Sequence, residues 1–105
     1  MAVNLENMET KIFKALAHPI RLKIIKKLSD KKLCVCELNK DVEFSQSNLS
    51  QHLKILKDAG ILNAQKNGLW MHYSIKNIEI LDVIEIIEKM VVKNIKEINE
   101  KLGDD

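Results

Sequence analysis

The chain has 105 residues, 46% of them hydrophobic and 30% charged, and is expected to form a single domain over residues 1–105 with a modest core. No run is long and apolar enough to cross a bilayer, and the N-terminus MAVNLENMETK lacks the basic start and apolar centre of a signal peptide, so no membrane partner and a cytoplasmic location are expected. The formal charge of +2 hides an asymmetry: residues 1–75 hold 12 Lys and Arg against 7 Asp and Glu, whereas residues 76–105 hold 5 against 8. A basic front and an acidic tail are expected if the front meets phosphate and the tail meets something else.

In chain order, Ile12, Phe13, Leu16 and Ala17 recur at helical spacing and predict a first helix over 6–17, ending before His18-Pro19. Pro19 suits the first position of a second helix, whose stripe is Ile20, Ile24, Ile25 and Leu28 as far as Ser29-Asp30. His18 reads as a structural neighbour of that helix, because no Cys, Asp or second His lies at a metal-binding spacing from it. Residues 33–42 read as a short extended stretch and then a short helix bearing Val35, Leu38 and Val42, with Glu43-Phe44 as a link.

The stretch from Ser45 to Gly60, SQSNLSQHLKILKDAG, reads as a DNA recognition helix, with Ser45 as N-cap and Gly60 as a left-handed C-terminal cap. At roughly 100° per residue, Leu49, Leu53 and Leu56 form its buried stripe, with Ser47, Gln51, Lys54 and Asp58 opposite and Asn48 and Ser50 flanking. Such hydroxyls, carboxamides and a lysine can meet base edges and phosphates, and Ser45 and Gln46 in the first turn lie near backbone N–H groups that suit a phosphate. A short helix, a turn and a polar-faced helix make a helix-turn-helix. Ile61–Lys66, Asn67-Gly68 and Leu69–Ile75 then predict a β-hairpin wing, with both central turn residues at positive φ. Lys66 and His72 are its candidates for a phosphate or minor-groove contact.

Residues 77–102 form the last predicted helix, with Ile80, Ile84, Ile87, Val91, Ile95, Ile98 and Leu102 at spacings of three and four, and Leu81, Val83, Ile86 and Val92 widening the stripe. Such a helix spans on the order of 35–40 Å, more than a domain this size covers with its own core. A second copy of the chain is the simplest cover, giving a two-fold homodimer with two recognition helices.

The pair Cys34 and Cys36 sits in a chain with no secretory signal, so a disulfide framework is not expected. Two soft thiolates favour As(III), Sb(III), Cd(II), Pb(II), Zn(II) or Cu(I), provided that strand gives way to helix at the pair. In a regular helix the two would lie about 200° apart and could not share an ion. Water, an external thiol, Glu37 or a group of the partner subunit could complete the set. A thiol redox switch and two packed cysteines are the alternatives. No nucleophile–base pair, phosphate-binding glycine loop or paired acids occur, so no enzyme is expected; a protein-interaction module without DNA binding is the alternative of another class.

ALAHPIRLKII (Ala15–Ile25), LCVCEL (Leu33–Leu38), SQSNLSQHLKILKDAGIL (Ser45–Leu62) and the NG turn followed by WMHYSI (Trp70–Ile75) make the chain similar to the ArsR/SmtB winged-helix repressors of bacteria and archaea. The resemblance implies a mostly α fold with a small β-hairpin: four helices, two strands and a fifth helix, dimeric through the terminal helices. It also implies a partly palindromic operator on double-stranded DNA and an inducer that weakens the complex. His52 matches the histidine of the family's signature and borders the core, where packing or a phosphate contact suits it better than base readout. The chain departs from the family at three places. Asn39 stands where the arsenic sensors have a third cysteine, the N-terminal arm has none of the cysteines of the cadmium and lead sensors, and the last helix lacks the zinc sensors' histidines, without which Asp82 and Glu85 are ordinary solvated acids.

Overall fold

The structure, a computed structural model, describes residues 3–41, 44 and 48–103. The elements run α1 (Leu5–Leu16), α2 (Pro19–Lys27), β1 (Leu33–Cys34), α3 (Val35–Asn39), α4 (Leu49–Asp58), β2 (Leu62–Asn67), β3 (Trp70–Ile75) and α5 (Glu79–Gly103). The architecture is the expected one, a helix-turn-helix followed by a wing, with several shifts of detail that have physical causes.

The break between α1 and α2 follows from His18-Pro19. His18 is extended and caps α2, its Nδ1 accepting the Ile20 N–H at 3.1 Å, and Pro19 stands in the first turn, where its missing N–H costs nothing. The structural role expected for His18 is this cap. Ile24, Ile25 and Leu28 then meet Leu38 of α3 and Leu49, Leu53 and Leu56 of α4 in one core with Leu16, Ile61, Leu62 and Ile84. Phe44, expected to be only a link, is 1% exposed and fills this core.

The polar-faced helix α4 begins later than Ser45. Asn48 is the N-cap of α4, without a side-chain cap bond, and its Nδ2 donates to Gln51 Oε1 at 2.9 Å. Ser45, Gln46 and Ser47 lie outside the described residues, as does Val42. The other end is as expected: Gly60 has φ +81°, its N–H reaches Lys57 O at 2.9 Å, and Ile61 N–H reaches Leu56 O at 3.0 Å. These two bonds form a Schellman cap and turn the chain directly into β2.

The extended stretch before α3 is a strand in its own right, so the wing belongs to a three-stranded antiparallel sheet of order β1-β3-β2. Leu33 faces Tyr73 and Cys34 faces His72 across β1–β3, while β2–β3 runs from Leu62↔Ile75 to Asn67↔Trp70. That register moves the turn by one residue. Its central pair is Gly68-Leu69, and among the described residues only Gly68 (φ +66°) and Gly60 have positive φ. This is the Gly-X pattern of a type II′ turn, which needs one left-handed residue rather than two.

The final helix starts at Glu79 rather than Asn77 and runs for 25 residues, about 37 Å at 1.5 Å per residue. Its first turns pack on the core through Ile80, Leu81 and Ile84, and Lys26 pairs with Glu88 at 2.5 Å. Beyond them the apolar stripe is open to solvent. The radius of gyration is 16.6 Å, against about 13 Å for a compact domain of this length.

Candidate functional site

The outer face of α4 is assembled as its spacing predicts. Asn48, Ser50, Gln51 and Lys54 are all exposed, while Leu49, Leu53 and Leu56 point inward. The Asn48–Gln51 bond uses one amide donor and one carbonyl, which leaves the Asn48 carbonyl and the Gln51 amide exposed with hydrogen-bonding capacity to spare. Lys54 Nζ stands 3.1 Å from Asp58 Oδ2, and this bond holds the Asp58 carboxyl below its ordinary range, helped by the nearby lysine charges.

His52 is half-buried and belongs to a cluster that sequence separation concealed. Arg21 of α2 donates from Nε to His52 Nδ1 at 3.2 Å and from Nη1 to Lys14 O at 3.3 Å, so one guanidinium ties α1, α2 and α4 together. The His18 ring lies 4.5 Å from the His52 ring, centroid to centroid. Because Nδ1 accepts, neutral His52 carries its proton on Nε2. Desolvation, then the neighbouring His18 and Arg21 charges, lower its pKa from 6.5 and favour that neutral form. These contacts hold the His52 ring at the rim of the core, against α2. Arg21 is the residue that sequence reasoning missed: it lies 31 positions from His52, and no local pattern joins them.

On the wing, Lys66 is exposed on β2 opposite Met71, and Lys32 reaches across to Gln65 Oε1 at 3.2 Å. The tip is apolar as well as basic, with Leu69 and Trp70 both exposed.

Cys34 and Cys36 stand at the point where β1 gives way to α3, the first helix of the helix-turn-helix. They are joined as a disulfide, with Cα atoms 5.2 Å apart. A bridge across one intervening residue closes too short a loop to act as a framework, so the expected absence of a disulfide scaffold is compatible with this pairing. Cys34 is also the N-cap of α3: its Sγ accepts the Cys36 N–H at 3.0 Å, and Glu37 Oε1 accepts the Cys34 N–H at 3.1 Å. One oxygen of Glu37, named above as a possible ion ligand, is therefore engaged in a capping box. With the sulfurs bonded to each other, no three His, Cys, Asp or Glu side chains among the described residues form a group ready to hold an ion.

The comparisons agree with this geometry. Residues 18–64 match the family model described as bacterial regulatory protein, arsR family. The chain is 38% identical over 80 residues to an uncharacterized HTH-type transcriptional regulator of Methanocaldococcus jannaschii, covering 75% of this chain and 90% of the relative. It is 44% identical over 69 residues to the arsenical resistance operon repressor of Bacillus subtilis, covering 65% of this chain and 66% of the relative. The crystal structure of Rv0081 of Mycobacterium tuberculosis superposes with a TM-score of 0.77 at 32% identity, covering 91% of this chain and 97% of that one. No helix among the described residues is long and apolar enough to cross a membrane. With the matched segment lying on the helix-turn-helix and the first strand of the wing, the chain belongs to the ArsR family of winged helix-turn-helix, DNA-binding transcription regulators, which are not enzymes.

Proposed function

We propose that residues 1–105 act as one unit, a cytoplasmic homodimeric repressor that binds a partly palindromic operator and leaves it when a soft metal or metalloid ion binds Cys34 and Cys36. The observation that carries the effector assignment is the meeting of both sulfurs at the β1–α3 junction, the placement that lets two thiolates turn to one ion. An ion there acts on the start of the helix-turn-helix and so on α4. The similarity to an arsenical resistance repressor supports the same chemistry.

Ser45, Gln46, Ser47, Asn48, Ser50, Gln51 and Lys54 form the reading edge in this proposal, with His52 and Lys66 on phosphate. Dimerisation is supported by the unpartnered face of α5, where Ile87, Val91, Ile95 and Ile98 are 45–58% exposed, and by Phe13 of α1, 61% exposed beside it. Between α1, α2 and α5 an apolar groove of about 510 Å³, lined by Phe13, Leu16, Leu22, Ile84, Ile87 and Val91, continues that face.

The joined sulfurs favour a second reading, a thiol switch in which opening and closing of this bond changes DNA affinity. Both readings are tested by operator binding of the reduced protein titrated with As(III), Cd(II) and Zn(II), and then with oxidant, beside a Cys34→Ser/Cys36→Ser variant. Release of the wild type alone by an ion supports the sensor, and release by oxidant alone supports the switch. Release by neither removes the cysteines from signalling. Loss of salt-sensitive duplex binding altogether would point to the protein-interaction module instead.

A further inference from the structure

The sheet sets a third donor beside the cysteine pair. Gln65, His72 and Cys34 form one row across β2, β3 and β1, and Ala64, Tyr73 and Leu33 form the next. Directly opposed residues on antiparallel strands point to the same face, with Cβ atoms about 4.5–5.5 Å apart. Leu33 and Tyr73 pack on the main core, so alternation puts Cys34 and His72 together on the other face. Cys34 is 3% exposed yet does not belong to the main core cluster, in keeping with that placement. His72 Nδ1 is buried and is the one buried side-chain nitrogen or oxygen among the described residues without a hydrogen-bond partner. A buried imidazole nitrogen left without a partner is unfavourable and calls for an explanation.

We propose that His72 Nδ1 is the third protein ligand of an ion site whose other two ligands are the thiolates of Cys34 and Cys36. This rests on the reading that the reduced pair binds an ion. The disulfide opens first: a thiol reductant gives two electrons and two protons, becomes a disulfide itself, and leaves two thiols on the chain. A divalent ion then displaces both thiol protons and takes a lone pair on His72 Nδ1, and Glu37 keeps its place in the cap of α3. Two sulfurs and one imidazole suit Zn(II) or Cd(II), which accept mixed sulfur and nitrogen sets. The ion would also tie β3 of the wing to the start of α3, so that ligand binding acts on two DNA-facing parts together.

The test uses the full, reduced chain with Zn(II) and Cd(II) themselves, in competition with a chelator of known affinity. The wild type should bind either ion, and His72→Ala should weaken binding by about 100-fold or more, since even outer-shell losses reach that size. His72→Ala should keep the cadmium–thiolate absorption, which reports the two sulfurs alone. Wild-type ion affinity in His72→Ala overturns the role of His72 and leaves the cysteine site standing. Failure of the wild type to bind any better than Cys34→Ser/Cys36→Ser removes the ion reading and this inference with it. NMR of nitrogen-labelled histidine in the Cd(II)-loaded wild type, which does not depend on how the variant folds, should show the His72 Nδ1 resonance coupled to cadmium; its absence overturns the assignment.

Discussion

In α4, Leu49, Leu53 and Leu56 are 4%, 0% and 0% exposed; in α5, Ile87, Val91 and Ile95, also at helical spacing, are 45%, 48% and 50% exposed. The two helices carry the same kind of apolar stripe but differ in what covers it. α4 is clasped by α1, α2 and β2 and turns a polar face outward, whereas α5 leaves the core after Ile84 and presents apolar surface to solvent. The periodicity of a helix thus shows which side is apolar. Whether the covering surface is the same chain or another depends on where the helix lies relative to the core.

The comparison is broken most severely by charging the α5 stripe. Ile87→Asp with Val91→Asp should leave a folded monomer and lower operator affinity by on the order of 100-fold or more through loss of two-site binding, as sedimentation and DNA titration would register. A dimer of unchanged strength would take α5 out of the interface. The corresponding change in α4 acts on folding instead. Leu53→Ala should cost about 2–5 kcal/mol in denaturant unfolding, while Ile95→Ala should change the stability of the isolated monomer by about 0.5 kcal/mol or less.

Smaller effects separate the two polar surfaces. Gln51→Ala should lose about 1–3 kcal/mol of preference for the operator over unrelated duplex, and equal loss on both would show that Gln51 touches only the backbone. Lys66→Ala should lower the salt slope by about 1 with little change in preference. The smallest effect is in pH. Because the fold lowers the pKa of His52 below 6.5, the unfolded chain takes the extra proton first. The stability gained from neutral His52 is therefore present above about pH 6.5 and is lost as pH falls through the lower folded value. Melting midpoints at neutral and mildly acid pH should show a smaller acid-side drop in His52→Gln than in the wild type.

Much of this was legible in local spacing and chemistry. The leucines of α4, the Gly60 cap, Pro19 at the start of α2, the hairpin and the uncovered face of the last helix each follow from residue types at fixed intervals. The start of α4 was misplaced because Ser45 is as good a cap as Asn48 by composition. The turn was misplaced because Asn67-Gly68 and Gly68-Leu69 both contain the glycine a tight turn requires, and the strand register selects between them.

What the sequence determined by itself, then, is the class of fold, the polar and apolar sides of each helix, and the presence of a soft pair at Cys34 and Cys36. Tertiary structure alone brought Arg21 to His52, made Leu33–Cys34 a strand, and set His72 opposite Cys34 with its Nδ1 unsatisfied. The physical reason is range. Helical stripes, caps and turns are set by residues within a few positions of one another, whereas a strand of two residues has no period to read. A contact across 31 or 38 positions exists only once the core has chosen which surfaces meet.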